Sequence, residues 1–492
     1  MGAGRPREDR EIIDGVVKEF LALCAVPHGS WREGTLADLL AGRFRDRGWS
    51  VSRDDAGNLR ADIPASPGRE EAPLVALQGH LDMVCAAAPG SGWDPLTDPV
   101  AARVEDGVLR TDGRSSLGAD NNLGNAAVFY LLGQGAAHGP VRLLLTVAEE
   151  VGLQGARRVD PDWLAGVRYL INTDGFRLGQ AVVSSAGGRR ETFRKQLHTV
   201  PRNKPMAFEL TLGGSLGGHS GYDINKGRAN CNKLLTLLLG ELRDELDYEL
   251  AWFQGGHAPN AIPLEARAVI AADRLAGPLL AQAADRANRK LQTILGRTDP
   301  GVRLSLREVP PPERVWQRGS RDSMLDLVSL LNNGVFAMHD TMPGQVSASS
   351  NVGRVWVNER HEIEVNCFVR CAIGFSEEIL GFQHTRAARL TGFHATVDSY
   401  PGWAGDTSNP LARRMAAIYR TLTGQDMDIT AVHIGLETSV LGAKKPDMVM
   451  VSTGPDILNP HSTDEHAPVA GLATYVRLLA ATLEELSKET DR

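Results

Sequence analysis

Three short stretches constrain the architecture of this chain most. Pro73–Leu77, Val141–Val147 and Val167–Asn172 are nearly all apolar and are bounded by Gly, Pro or charged residues. Runs this short and this uniformly apolar suit strands buried on both faces, as in a parallel sheet flanked by helices. Helical patterns alternate with them. Asp9–Cys24 and Gly34–Phe44 carry apolar residues at helical spacing, and Asn122–Leu132 is an apolar stretch of helical length. The alternation predicts an α/β domain: an open, mostly parallel sheet with helices on both faces.

From about Gly187 the texture changes. MAFELTLGG alternates apolar and polar residues, as a half-buried antiparallel strand does, and Asn230–Leu246 reads as an amphipathic helix. NVGRVWVNERHEIEVNCFVRCAI reads as a hairpin turning at Asn358–Arg360. After about Phe393 the α/β texture returns in Asn409–Leu422 and Met448–Ser452, and Thr474–Leu486 is a closing amphipathic helix. The expectation is a catalytic domain in two parts, residues 1–187 and 394–492, interrupted by an inserted α+β lid or dimerisation domain over 188–393. A chain of 492 residues has room for both.

Composition narrows the partners. With 60 acidic against 53 basic residues, a net charge of −7 and no Lys/Arg-rich run, the chain is a poor match for nucleic acid or an anionic membrane surface. No window approaches 18 uninterrupted apolar residues, and the charged N-terminal MGAGRPREDREIIDG does not read as a signal peptide. The five cysteines, Cys24, Cys85, Cys231, Cys367 and Cys371, are scattered and odd in number, which fits a reducing, cytoplasmic setting. Cys367 and Cys371 fall on one strand face and read as small buried hydrophobes.

Each buried strand of the first domain ends in residues that bind metals. LVALQGHLDMV carries His80 and Asp82, LLLTVAEEVGLQGA carries Glu149 and Glu150, and YLINTDG carries Asp174. The C-terminal edges of strands in an open α/β sheet form the ligand crevice, so these side chains should converge. Asp120 in SLGADNNLGNA and His461 in LNPHSTDEHAPV lie in loops. Two imidazoles and three carboxylates are the right inventory for two zinc-like ions with one carboxylate shared between them. Asp82 can orient His80 through its far ring nitrogen, and one of the paired glutamates is left to act on water as general base.

The motifs GHLDMV, LGADNNLG, TVAEEVGLQGA, INTD, GGHSGYDIN, NAIP and NPHSTDE together resemble the aminoacyl-histidine dipeptidases. That group, also called Xaa-His or β-alanyl-histidine dipeptidases, belongs to the aminoacylase/carnosinase clan of di-zinc metallopeptidases. The resemblance runs from about Glu19 to the C-terminal helix. It implies that His80 and Asp174 hold one zinc, Glu150 and His461 the other, and Asp120 bridges them. Asp82 then orients His80, and Glu149 is the general base. It further implies a cis Asp120–Asn121 bond, an oxyanion-stabilising role for His219 in GGHSG, and a hold on the substrate's C-terminal end by Asn260 and Arg370.

The reaction so implied is hydrolysis of unblocked dipeptides, Xaa-His first, by a hydroxide bridging two zinc ions, with Mn or Co able to substitute. Glu149 accepts the water's proton and passes it to the leaving amine. Rival readings on the same site are a tripeptide aminopeptidase, a carboxypeptidase, an N-acyl amino acid deacylase, or a non-catalytic metal-binding relative. Two departures bear on specificity: Asn122 replaces the family's usual Gly, and DGFRLGQ replaces its acidic run after Asp174. A lid this long allows His219 to serve its own chain, whereas a shorter one would need a homodimer. Gly213–Gly217 matches G-x-S-x-G, but in the setting of an antiparallel strand it reads as a tight turn and not as a nucleophile elbow.

Overall fold

The computed structural model describes residues 5–490. The chain forms two compact units. One comprises the described chain up to Ser185 and from Trp403 onward, and the other Ala186–Gly402.

The first unit is built on an eight-stranded sheet among the described residues. Its order is Ser50–Arg53, Leu59–Ile63, Val141–Thr146, Leu74–His80, Val167–Asn172, Val449–Ser452, Gln180–Ser185 and Asp428–Val432. Leu74–His80 runs parallel to both of its neighbours, as Val449–Ser452 does to Val167–Asn172; antiparallel pairing at one edge adds Ser50–Arg53 and Leu59–Ile63. Every residue of Val141–Thr146 is buried, as expected of a strand covered on both faces. Register then sets the site: His80 lies opposite Thr146, and Gln78 opposite Asn172, so the three strands end within two residues of one level. Gly79 is required here, because a Cβ would lie 2.2 Å from Asn121 Oδ1 and 2.3 Å from Asn125 Oδ1.

The helix after the first buried strand spans Ala119–Gly133, starting three residues before the sequence pattern does. Asp120 is non-helical within it (φ −76°, ψ 116°), and its bond to Asn121 is cis.

The second unit has strands β1 (Gly187–Gln196), β2 (Met206–Gly213), β3 (Glu249–Gly255), β4 (Ala266–Ala272), β5 (Arg303–Val309), β6 (Val346–Val357), β7 (Glu362–Cys371) and β8 (His394–Tyr400). Its helices are α1 (Cys231–Glu245), α2 (Ala276–Leu295), α3 (Arg318–Leu330) and α4 (Gly374–Thr391). The sheet order is β5-β2-β4-β3-β6-β7-β1-β8. Two equivalent halves emerge from it. The inner half, β2-α1-β3-β4-α2-β5, is a βαββαβ unit, and so is the outer half, β1-α3-β6-β7-α4-β8, within which it is inserted. The halves meet where β3 pairs with β6. This duplication has no fixed sequence period and was not readable as a repeat.

The pattern-based boundary after Phe393 differs from the structural one after Gly402, because His394–Tyr400 pairs along its whole length with Gly187–Gln196. Ser215 of the G-x-S-x-G stretch donates to Asp299 Oδ2 at 2.7 Å, and Leu216 N–H to Asp299 Oδ1 at 2.9 Å, so the segment is a turn held by a buried aspartate. No helix of the described residues is long and apolar enough to cross a membrane.

Candidate metal centre

The strand ends of the first unit deliver their side chains to one place. His80 Nε2 lies 3.0 Å from Asp120 Oδ1 and 3.6 Å from Asp174 Oδ1. His461 Nε2 lies 2.9 Å from Asp120 Oδ2 and 2.9 Å from Glu150 Oε1. The five residues thus form an alternating series, Asp174, His80, Asp120, His461, Glu150, with Asp120 in the middle and one imidazole on each of its oxygens. Ligand atoms of His80, Asp120 and Glu150 all lie within 4.8 Å of one another.

Asp82 acts differently from the simplest expectation. His80 Nδ1 meets the backbone oxygen of Asp82 at 2.9 Å, closer than the 3.4 Å to its carboxylate. The carboxylate instead accepts the backbone N–H groups of Glu149 (2.9 Å) and Glu150 (3.2 Å) and the hydroxyl of Ser30 (2.7 Å). It holds the loop carrying both glutamates, and Glu33 extends that hold by accepting the N–H of Ala148 at 2.7 Å.

The electrostatics are those of crowded buried acids. Burial and the neighbouring Glu150 push Glu149 well above the ordinary carboxylate range; burial and Asp120 do the same to Asp174. Burial opposes protonation of His461, but the carboxylates of Asp120 and Glu150 beside it outweigh that and raise the imidazole to about 11. His80 is likewise raised against burial, by Asp120, Asp174 and Asp82. Without a cation, this site can balance its carboxylates only with protons.

The residues fit metal ions. Asp82, Asp120, Glu150 and Asp174 have ion-pair partners only in His80 and His461 among the described residues, with no Lys or Arg in reach. Buried Glu150 Oε1 and Asp174 Oδ1 have no hydrogen-bond partner; His461 is near the former but out of alignment. Buried oxygens of this kind are satisfied by hard or borderline divalent cations.

The second unit gathers His219, Ser220, Asn260 and Arg370. Gly218–His219 pairs with Ala261–Ile262, and Ser220 N–H donates to the backbone oxygen of Asn260 at 2.8 Å. His219 Nδ1 accepts the N–H groups of Gly221 (3.2 Å) and Tyr222 (3.4 Å), which leaves the proton of the neutral ring on Nε2. That nitrogen is 3.5 Å from an Arg370 Nη2, and Arg370 Nε is 3.4 Å from Ser220 Oγ. Arg370 is buried over the Phe368 ring, with no carboxylate in ion-pair reach among the described residues. Two N–H donors side by side favour an oxygen-bearing anion between them. His219 comes from the inner half of the unit and Arg370 from the outer, so one chain completes the pair.

Ser30, Glu33 and Glu465 were not singled out from sequence. Their signal is weak: each is a common polar residue a few positions from a Gly or from His461.

The model of peptidase family M20/M25/M40 matches residues 76–485. This chain belongs to that family. It is, accordingly, a metal-dependent peptidase. The chain is 34% identical over 472 residues to the cytosol non-specific dipeptidase of Escherichia coli (strain K12), covering 95% of this chain and 96% of the relative. It superposes on the crystal structure of aminoacylhistidine dipeptidase from Vibrio alginolyticus with a TM-score of 0.85 at 31% identity, covering 96% of each chain. Human carnosine dipeptidase 1 shares the M20 fold at 15% identity and a TM-score of 0.51, over 98% of this chain and 99% of the other.

Proposed function

We infer that this protein is a dipeptidase that hydrolyses unblocked dipeptides, with Xaa-His first among its substrates, using two divalent ions with zinc as first choice. The observation that carries this reading is Asp120, buried with one imidazole on each oxygen and Glu150 and Asp174 at the two ends of the series. The names of its E. coli and V. alginolyticus relatives support a dipeptide substrate. The cytosolic E. coli relative and the scattered thiols support a cytoplasmic location.

His80 and Asp174 would hold one ion, Glu150 and His461 the other, with Asp120 shared. The ions, when bound, acidify a water and polarise the scissile carbonyl. Glu149 takes the proton of the attacking water and gives it to the leaving amine, a task suited to a carboxylate whose proton affinity is already raised. Asp82 keeps Glu149 and Glu150 in place through their backbone N–H groups. His219 donates Nε2–H to the developing oxyanion, and Arg370 and Asn260 bind the substrate's terminal carboxylate.

The test is histidine release from β-alanyl-histidine and Leu-His by metal-free protein, with and without Zn²⁺, Mn²⁺ or Co²⁺. Metal-dependent release supports the reading. Binding of metal with cleavage only of tripeptides or N-acetyl amino acids would replace the substrate assignment while leaving the centre intact.

A further inference from the structure

Glu465 is buried four residues after His461, and the chemistry above gives it no part. Its Oε2 accepts the N–H groups of Leu117 and Gly118, each at 2.8 Å. Its Oε1 accepts those of Ala119 at 2.8 Å and Asp120 at 3.3 Å. These donors enter the helix Ala119–Gly133, whose own turns offer them no acceptor, and a negative charge there is favoured by the helix dipole. The path they follow is left-handed at Gly118 (φ 69°) and extended in ψ at Asp120, a shape that helix formation alone would not impose.

The other end of Glu465 belongs to the loop of His461. Leu458 and His466 exchange backbone hydrogen bonds at 2.9 and 3.0 Å, closing a loop in which His461 is left-handed (φ 63°). Glu465 N–H also donates to the oxygen of Ser462, the residue after His461, at 3.2 Å. One carboxylate therefore ties together the two segments whose side chains meet at 2.9 Å as Asp120 and His461.

We propose that Glu465 is a positioning residue that sets Asp120 against His461 and thereby fixes the ion held by His461 and Glu150. The assignment rests on the two-ion reading above. Glu465→Gln is the sharpest probe, because it preserves size while turning one acceptor oxygen into an NH₂ group facing two N–H donors.

The experiment titrates Zn²⁺ into metal-free wild type and variant, counts bound ions, and measures kcat, KM and the melting temperature of the metal-free proteins. The variant is expected to bind one ion as wild type does and the other about 10–100-fold more weakly. Its kcat should fall while KM stays within about twofold, and excess Zn²⁺ should restore kcat. Two ions bound with wild-type affinities would overturn the proposal. Equal weakening of both, with a lower melting temperature of the metal-free variant, would also overturn it by showing a role in folding alone. If Glu465→Gln does not fold, Glu465→Asp, which draws the charge back by one methylene, carries the same readouts. A wild type that binds fewer than two ions would refute the two-ion reading itself, and the proposal with it.

Discussion

Asp82 accepts the backbone N–H of Glu149 at 2.9 Å, so the residue best placed to orient His80 also holds the backbone of the proposed general base. Asp82→Asn keeps the shape but loses an acceptor facing Glu149, Glu150 or Ser30. A fall in kcat of about 10–100-fold is expected, the usual cost of losing a supporting partner around metal ligands. Steady-state kinetics with metal analysis checks it, and an unchanged kcat would refute the hold.

Glu149 lies beside Glu150, a proposed metal ligand, but is not itself assigned to an ion. Glu149→Gln should keep the wild-type metal content and lose roughly 10²–10⁴-fold in kcat, the range for a general acid–base. Near-normal turnover with metal bound would mean another group moves the proton.

Arg370 is a buried cation without an acidic partner among the described residues. Arg370→Lys should raise KM for dipeptides about tenfold or more, because a bidentate fork becomes a point charge. Dipeptide amides, lacking the carboxylate, should show a much smaller change. Equal effects on acid and amide would remove Arg370 from carboxylate recognition.

Glu437 is fully buried, accepts from Gln78 Nε2 at 2.5 Å and Thr146 Oγ1 at 2.6 Å, and leaves Oε1 without a hydrogen-bond partner. Burial raises its carboxyl to about 6. The folded state then holds this proton more tightly than the unfolded state. Stability is favoured below the unfolded value near pH 4.5, is lost as pH rises through about 6, and stays lost above it, at a cost of about 2 kcal/mol. Glu437→Gln removes that loss. The metal-free variant should melt higher than wild type at pH 7.5, with the difference shrinking toward pH 4.5; melting curves across that range decide it.

Glu191, Cys367 and His384 form a second ligand-like cluster, buried in the Ala186–Gly402 unit, with ligand atoms within 4.8 Å of one another. Here the hydrogen bonds argue against an ion. His384 Nε2 accepts the Asn332 N–H at 3.1 Å, so the ring proton sits on Nδ1, 2.5 Å from Glu191 Oε2. Arg189 Nε balances the other Glu191 oxygen at 2.6 Å. Cys367→Ser is therefore expected to leave the metal content unchanged, and loss of one ion on elemental analysis would reverse this assignment.

The sheet of the first unit was legible because strands buried on both faces have almost no compositional freedom, and Val167–Asn172 appears in the structure with the bounds its apolar run suggests. The metal-binding residue types were legible because they end those strands. The hold of Asp82 on Glu149 and Glu150 was not, since it runs through backbone N–H groups that carry no side-chain signature. The same holds for Glu465, whose four donors belong to residues of any type. The duplicated βαββαβ halves were hidden because pairing, unlike apolar pattern, leaves no period in the chain.

The nesting of these units orders events during synthesis. The inner half can close as soon as β5 reaches β2, its first and last strands being direct partners. The outer half must wait for β7 and β8 to find β1 across that whole insertion. Only after both does Val449–Ser452 arrive to pair with Val167–Asn172, and His461 after it. A nascent chain thus completes its Ala186–Gly402 unit before it holds all of the residues proposed to bind metal, and a peptidase whose centre needs His461 would not cut until nearly all of it has been made.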